Sequence, residues 1–206
     1  MPRQPDPSRK PQLIGEILDY LLDKPLSTLS FRTIASALGV STYTLVYHFG
    51  SRAELITEIV SAISSRIVEV NDRLRTNPGE VDVYFGNLES SWQWTVDPRN
   101  RQLQRLEFEA GMLEAIEPGR YTFSRALHEN WRHYAIEALQ ALGLDPQDAR
   151  AEGRLMVDCF FGIQYDFVVS GDAGRCTEAF RSLLDAHRER LERLLGRPLV
   201  EQSSGG

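Results

Sequence analysis

Lysine is almost missing from this chain: of 23 basic residues only Lys10 and Lys24 are lysine, and the rest are arginine. Cysteine is scarce too. Cys159 and Cys176 are too few for a disulfide framework and have no metal-ligand spacing. No apolar run approaches the ~18–20 residues that span a bilayer. Met1 to Pro11 is proline-rich and charged, the opposite of a signal peptide's apolar segment. Catalytic signatures are missing as well: there is no HExxH, GxSxG or glycine-rich phosphate loop, and His48, His128, His133 and His187 are scattered. These absences point to a cytoplasmic protein with no cofactor, no metal, no membrane partner and no catalytic role. Strand-like alternation is also absent over any useful length.

What is present is helical periodicity over 206 residues, 42% of them hydrophobic and 25% charged, enough for a sizeable core. Leu13, Ile17, Leu21 and Leu22 mark a first helix over 9–24, ended by Pro25. Ser30 caps a second to Leu38, and Gly39 suits its C-terminus. Ser41 caps a third through Phe49, and a fourth starts near Ser51 with Leu55, Ile59, Ile63, Ile67, Val70 and Leu74 in its stripe. Asn77-Pro78-Gly79 ends it. Helices are then expected near 80–96, 99–116, 120–142, 146–170 and 174–195, with Asp145-Pro146 as cap and first turn. The fold class expected is all-α, with about nine helices: an N-terminal three-helix domain over 1–52, a larger helical domain over 53–200, and a flexible tail over 201–206.

The net charge of −6 argues at first against nucleic acid. Its distribution answers that: residues 1–55 carry a net +1 and the remainder −7. Within the first part, a helix-turn-helix needs a small residue at the helix crossing, a tight turn and an apolar set behind the second helix. Ala35, Gly39-Val40-Ser41, and Leu38, Val40, Leu45 and Phe49 meet these needs. The third helix is left with Thr42, Tyr43, Thr44, Tyr47 and His48 outward, groups that suit phosphates and base edges.

Ser30-Phe31-Arg32-Thr33-Ile34-Ala35, Gly39-Val40-Ser41, Thr44-Leu45, His48-Phe49 and Gly50-Ser51-Arg52-Ala53-Glu54-Leu55 follow one another in unbroken register, and over residues 29–56 the chain resembles the bacterial TetR family of transcriptional regulators. Two positions depart from the family's pattern: Val46 stands where tyrosine is usual, and Arg52 where lysine is. The resemblance implies a homodimeric regulator that binds double-stranded operator DNA, most simply a repressor released by a small, largely apolar effector. A regulator without a small-molecule sensor, acting as an activator or through a protein partner, is the alternative. By the same resemblance Arg32 reaches a base or the backbone, and Ser41, Thr42 and Tyr43 sit at the start of the recognition helix. Thr44, Tyr47, His48 and Arg52 hold phosphates. A solvated Arg32, a packed Tyr43 and a structural His48 fit the sequence as well.

The middle of the chain is aromatic, with polar groups interspersed, and Phe85, Trp92, Phe108, Met112, His128, Trp131 and Tyr165 could line an effector pocket. A packed aromatic core fits equally. Late in the chain, Leu155, Met156, Cys159, Phe160, Ile163 and Phe167 form one apolar stripe and Phe180, Leu183, Leu184, His187, Leu191 and Leu194 another. The resemblance implies that these join two copies into a four-helix dimer interface; the same stripes would also serve the monomer's own core.

Overall fold

A computed structural model describes residues 8–76, 79–121 and 123–199, without the side chains of 66–76. The expected tail over 201–206, the arm before Ser8, the break at Asn77-Pro78 and the inward stripe of Ile67, Val70 and Leu74 lie outside that description. Among the described residues there are nine α-helices, one 3-10 turn and no strand. They run α1 (Arg9–Leu21), η1 (Leu26–Thr28), α2 (Phe31–Leu38), α3 (Thr42–Phe49), α4 (Arg52–Thr76), α5 (Val81–Thr95), α6 (Pro98–Ile116), α7 (Phe123–Ala141), α8 (Pro146–Ser170) and α9 (Ala173–Leu195). No helix among these residues is long and apolar enough to cross a membrane.

The described chain divides into two compact units, one made of residues up to Ser65 together with Gln102–Arg125, the other of Arg66–Arg101 with residues from Ala126 on. The first unit is built on α1, whose Leu13, Ile14, Ile17, Leu18 and Leu21 are all buried. Ile34 and Ala35 of α2, Leu45 and Phe49 of α3, and Leu55, Ile56, Ile59, Val60 and Ile63 of α4 are buried in the same unit. α6 adds Leu103, Leu106 and Ala110. Thus a helix far along the sequence is part of the N-terminal unit's core.

In the second unit the apolar core joins Tyr84, Phe85 and Trp92 of α5, Leu139 of α7, Met156 and Phe167 of α8, and Cys176, Phe180, Leu184 and Leu191 of α9. Trp92 stacks on Phe180 with centroids 5.0 Å apart, and its indole N–H donates to Thr177 Oγ1 at 3.0 Å. α8 starts as its sequence dictates: Asp145 accepts from the backbone N–H groups of Gln147 (2.8 Å) and Asp148 (3.1 Å), and Pro146 occupies the first turn. Where α8 passes α7, Gly153 is required by space, because a Cβ there would stand 3.0 Å from Ile136 Cγ1 and 3.2 Å from Ile136 N.

Of the α8 and α9 stripes, for which a second copy and the chain's own core were both open above, much is packed in this unit's core. Met156, Phe167, Phe180, Leu184, His187 and Leu191 are buried, and Cys159, Phe160 and Ile163 are half-buried. Each helix spends its widest apolar stripe inside its own chain, where Trp92 closes the layer. Leu155 and Leu194 of the same stripes are exposed, as are Tyr165 and Val169 of α8.

One polar network runs through this core. His187, 3% exposed, shares a hydrogen bond of 2.9 Å between Nε2 and the Tyr84 hydroxyl, and its Nδ1 lies 3.7 Å from Glu152 Oε2. Arg190 grips both oxygens of Glu152, with Nε donating at 3.0 Å. Burial pulls the His187 imidazole down to about 4, against the opposing pull of Glu152. As pH falls below 6.5 the unfolded chain therefore takes up a proton that the folded chain refuses until about 4. Urea denaturation should show up to ~3 kcal/mol of stability lost to this residue across that window, and a shallower loss in His187→Gln.

Candidate nucleic-acid interface

Capping fixes the two short helices at the front of the first unit. Ser30 Oγ accepts from Thr33 N at 3.2 Å while Thr33 Oγ1 accepts from Ser30 N at 3.2 Å, a reciprocal cap that starts α2. Gly39 ends it at φ 66°, a left-handed turn costly for any residue with a Cβ. Ser41 Oγ then accepts from Thr44 N at 3.0 Å and starts α3. Glu54 answers Ser51 in the same way at the head of α4, taking its backbone N–H at 2.7 Å. These bonds to Ser51 hold the Glu54 carboxyl below the usual range.

The result is an α3 with two unlike faces. Leu45 and Phe49 are buried, while Tyr43, Val46 and Tyr47 are 78%, 48% and 61% exposed. Thr42 is exposed beside them, and Thr44 and His48 flank the face half-buried. Two tyrosines and a valine thus stand on one open face of an eight-residue helix. Tyr47 stands edge-on to His48, with centroids 5.1 Å apart. Arg32 is exposed on α2 and has no hydrogen-bond or ion-pair partner among the described residues. Val46, where the resemblance leads one to expect tyrosine, lies within the exposed face.

Arg52 is placed differently from the others. Its Nε donates to Leu29 O (2.9 Å), Nη2 to Leu26 O (3.1 Å) and Nη1 to the Tyr121 hydroxyl (2.7 Å). All three of its nitrogens are thus engaged inside the unit. A second arginine does the same from α6: Arg105 Nη2 donates to Leu21 O at 2.8 Å and Lys24 O at 3.1 Å. Arg105 also pairs with Glu109, whose other oxygen accepts the Leu26 N–H at 2.5 Å. Pro25 has no N–H to give back to α1, and the carbonyls at its end, Leu21 O (which also accepts from Lys24 N at 3.2 Å) and Lys24 O, take a side-chain donor as well. Lys10 is likewise occupied, donating to Glu58 at 2.7 Å.

Residues 18–59 match the family model described as bacterial regulatory proteins, tetR family. The chain carries the N-terminal domain of the tetR family. Solved structures extend the likeness to the whole tetR-type fold. A TetR transcriptional regulator from Legionella pneumophila is 15% identical, with 94% of this chain and 98% of that one covered and a TM-score of 0.66. A transcriptional regulator from Rhodococcus sp. Rha1 is 18% identical over 93% and 98%, with a TM-score of 0.68. NalD of Pseudomonas aeruginosa, the secondary repressor of the MexAB-OprM multidrug efflux pump, is 17% identical over 87% and 93%, at 0.63. No curated protein matches the chain by sequence.

The seven candidate pocket residues fall into unlike settings. Phe85 and Trp92 are buried in the second unit's core. His128 stacks on Phe161 with centroids 4.2 Å apart, and Trp131 lies edge-on to Tyr134 at 6.3 Å. Tyr165 and Met112 are exposed, and Phe108, in the first unit, is half-buried. Glu107 is one of the polar groups interspersed in the aromatic stretch. It is 8% exposed on α6, and burial pushes its carboxyl up to about 7.

Both features carry measurable outcomes. Folded protein keeps the Glu107 proton up to about pH 7, while an unfolded glutamate releases it near its ordinary 4.5, so stability falls as pH rises between these values. Glu107→Gln should remove that slope and gain roughly 3 kcal/mol at pH 8 in chemical denaturation, with little change at pH 4.5. Tyr121→Phe deletes one neutral acceptor for Arg52 and should cost about 1 kcal/mol in the same measurement.

Proposed function

We propose that this protein is a homodimeric, tetR-type DNA-binding repressor that a small effector releases from its operator. The observation that carries the reading is the open face of α3, where Thr42, Tyr43, Val46 and Tyr47 stand exposed on a helix pinned from behind by Leu45 and Phe49. A helix so presented fits a major groove, its first turn nearest the base edges. In this reading Arg32, with no protein partner to compete, meets guanine or phosphate. Ser41, Thr42, Tyr43, Thr44, Tyr47 and His48 set the docking. Arg52 acts one step back, holding the turn before α2 instead of the DNA.

Operator recognition by paired half-sites needs two heads, and the exposed Leu155, Tyr165 and Val169 of α8 with Leu194 of α9 offer an apolar face that a second copy could cover. Residues 1–52 would read DNA and 53–200 would provide effector binding and dimerisation. NalD, a repressor of an efflux pump with a similar fold, lends the repressor role its support. Release then follows from differential affinity: an effector that favours one arrangement of the heads by a few kcal/mol shifts the population away from DNA.

A mobility-shift assay with DNA upstream of its own gene tests the reading. Binding should be salt-dependent, and Arg32→Ala or Tyr47→Ala should weaken it by roughly tenfold or more. A folded protein that binds no such fragment overturns the reading. Light scattering should report a dimer, and Val169→Arg together with Tyr165→Glu should convert it to a monomer with weakened operator binding.

A further inference from the structure

On the open face of α3, made of Thr42, Tyr43, Val46 and Tyr47, Val46 alone has a side chain that can neither give nor take a hydrogen bond. At roughly 100° per residue these four positions span an arc of about 140°, and Val46 lies inside it, between Thr42 and Tyr43. Its three neighbours carry hydroxyls, which suit phosphates and base edges. Val46 brings two methyl groups instead.

A lone exposed valine is ordinary on a protein surface. The setting of this one is not. Packing does not ask for it, since it is 48% exposed. Helix stability does not ask for it either: α3 has only eight residues, and valine forms helices less readily than alanine or leucine. The side chain is nonetheless held firmly. Within a helix valine has one strongly preferred χ1 rotamer, so its methyls keep their place without support from neighbours. Val46 O accepts Gly50 N at 2.8 Å, and the preceding Leu45 is fully buried. The face therefore presents a preset apolar spot bordered by hydroxyls.

In the major groove, base edges offer hydrogen-bond donors, acceptors and one apolar group, the C5-methyl of thymine. Resting on the DNA-binding reading above, we propose that Val46 selects a thymine in each operator half-site by packing on that methyl. It is then a specificity-determining residue. Cytosine sets an N4 amino donor on its edge with no methyl, and the purines set N7 with O6 or N6 there. Against an isopropyl group these polar atoms lose water and gain no partner, so the other bases are penalised as well as unrewarded. The tyrosine that the resemblance leads one to expect at this position ends in a hydroxyl. Valine in its place changes what the helix can read.

The test uses the full-length chain and the fragment upstream of its own gene, amplified once with thymine and once with uracil. Uracil keeps the pairing and the O4 acceptor of thymine and lacks only the methyl. Synthetic duplexes covering the footprint then carry uracil at one thymine at a time, matched in both half-sites. At one such position wild-type protein should lose about fourfold in affinity for each half-site in the mobility-shift assay. Val46→Ala should bind the thymine and uracil duplexes of that position equally, while Val46→Ile keeps the preference. Alanine is the better helix former at an exposed position, and unchanged thermal unfolding confirms the fold of both variants. Any effect of uracil on DNA flexibility acts on all three proteins alike and cancels in the comparison. Binding that is blind to every methyl, or a preference that survives in Val46→Ala, overturns the assignment while the DNA-binding reading stands. Failure of wild-type protein to bind even the thymine fragment overturns both, so the two failures are distinguishable.

Discussion

Pro25 cannot extend α1, and the N-terminal unit depends on how the carbonyls between α1 and α2 are met. Leu21 O and Lys24 O receive Arg105, and Leu26 O and Leu29 O receive Arg52. Each guanidinium bridges two carbonyls, as its planar fork of donors allows and a lysine ammonium, a point charge on a flexible stem, does less well. Elsewhere Arg101 caps the end of α8 by donating to Phe167 O and Val168 O, and Arg197 reaches Leu142 O at 3.2 Å. The near-absence of lysine has a structural counterpart: at several places in this fold, arginines finish what the helices leave open.

These bonds also decide what the N-terminal unit is. α1 to α3 contain too little apolar surface to stand alone comfortably, and the unit is completed by α4 and by a helix 80 residues further on. α6 brings Leu103 and Leu106 to the core and Arg105 and Glu109 to the turn. An element that belongs by sequence to the middle of the chain is thereby part of the N-terminal unit.

The second unit shows the opposite economy. Its helices bury their widest apolar stripes against one another, with Trp92 at the centre, and leave narrower sets of Leu155, Tyr165, Val169 and Leu194 outside. The Tyr84–His187–Glu152–Arg190 network gives this core its polar register: each member is satisfied only in one alignment of α5, α8 and α9, which is how buried polar groups discriminate between packings of similar apolar content.

Local chemistry was legible in the chain from the outset. Ser30, Gly39, Ser41, Ser51 and Asp145 act through neighbours within a few residues, so helix starts, the turn and the two-faced α3 could be read directly, along with the all-α class and the likeness of residues 29–56. Tertiary structure alone decided where side chains with several possible partners went. A stripe such as Met156, Phe160, Ile163 and Phe167 has the same period whether it meets its own chain or a second copy, and packing chose the former. Arg52 has the charge to grip a phosphate, yet two backbone carbonyls and Tyr121 hold it, partners that no spacing announces. Glu107 stands in the sequence as one polar group among many aromatics, and only the packing of α6 buries it, because burial is set by what lies across from a residue and not by what lies beside it.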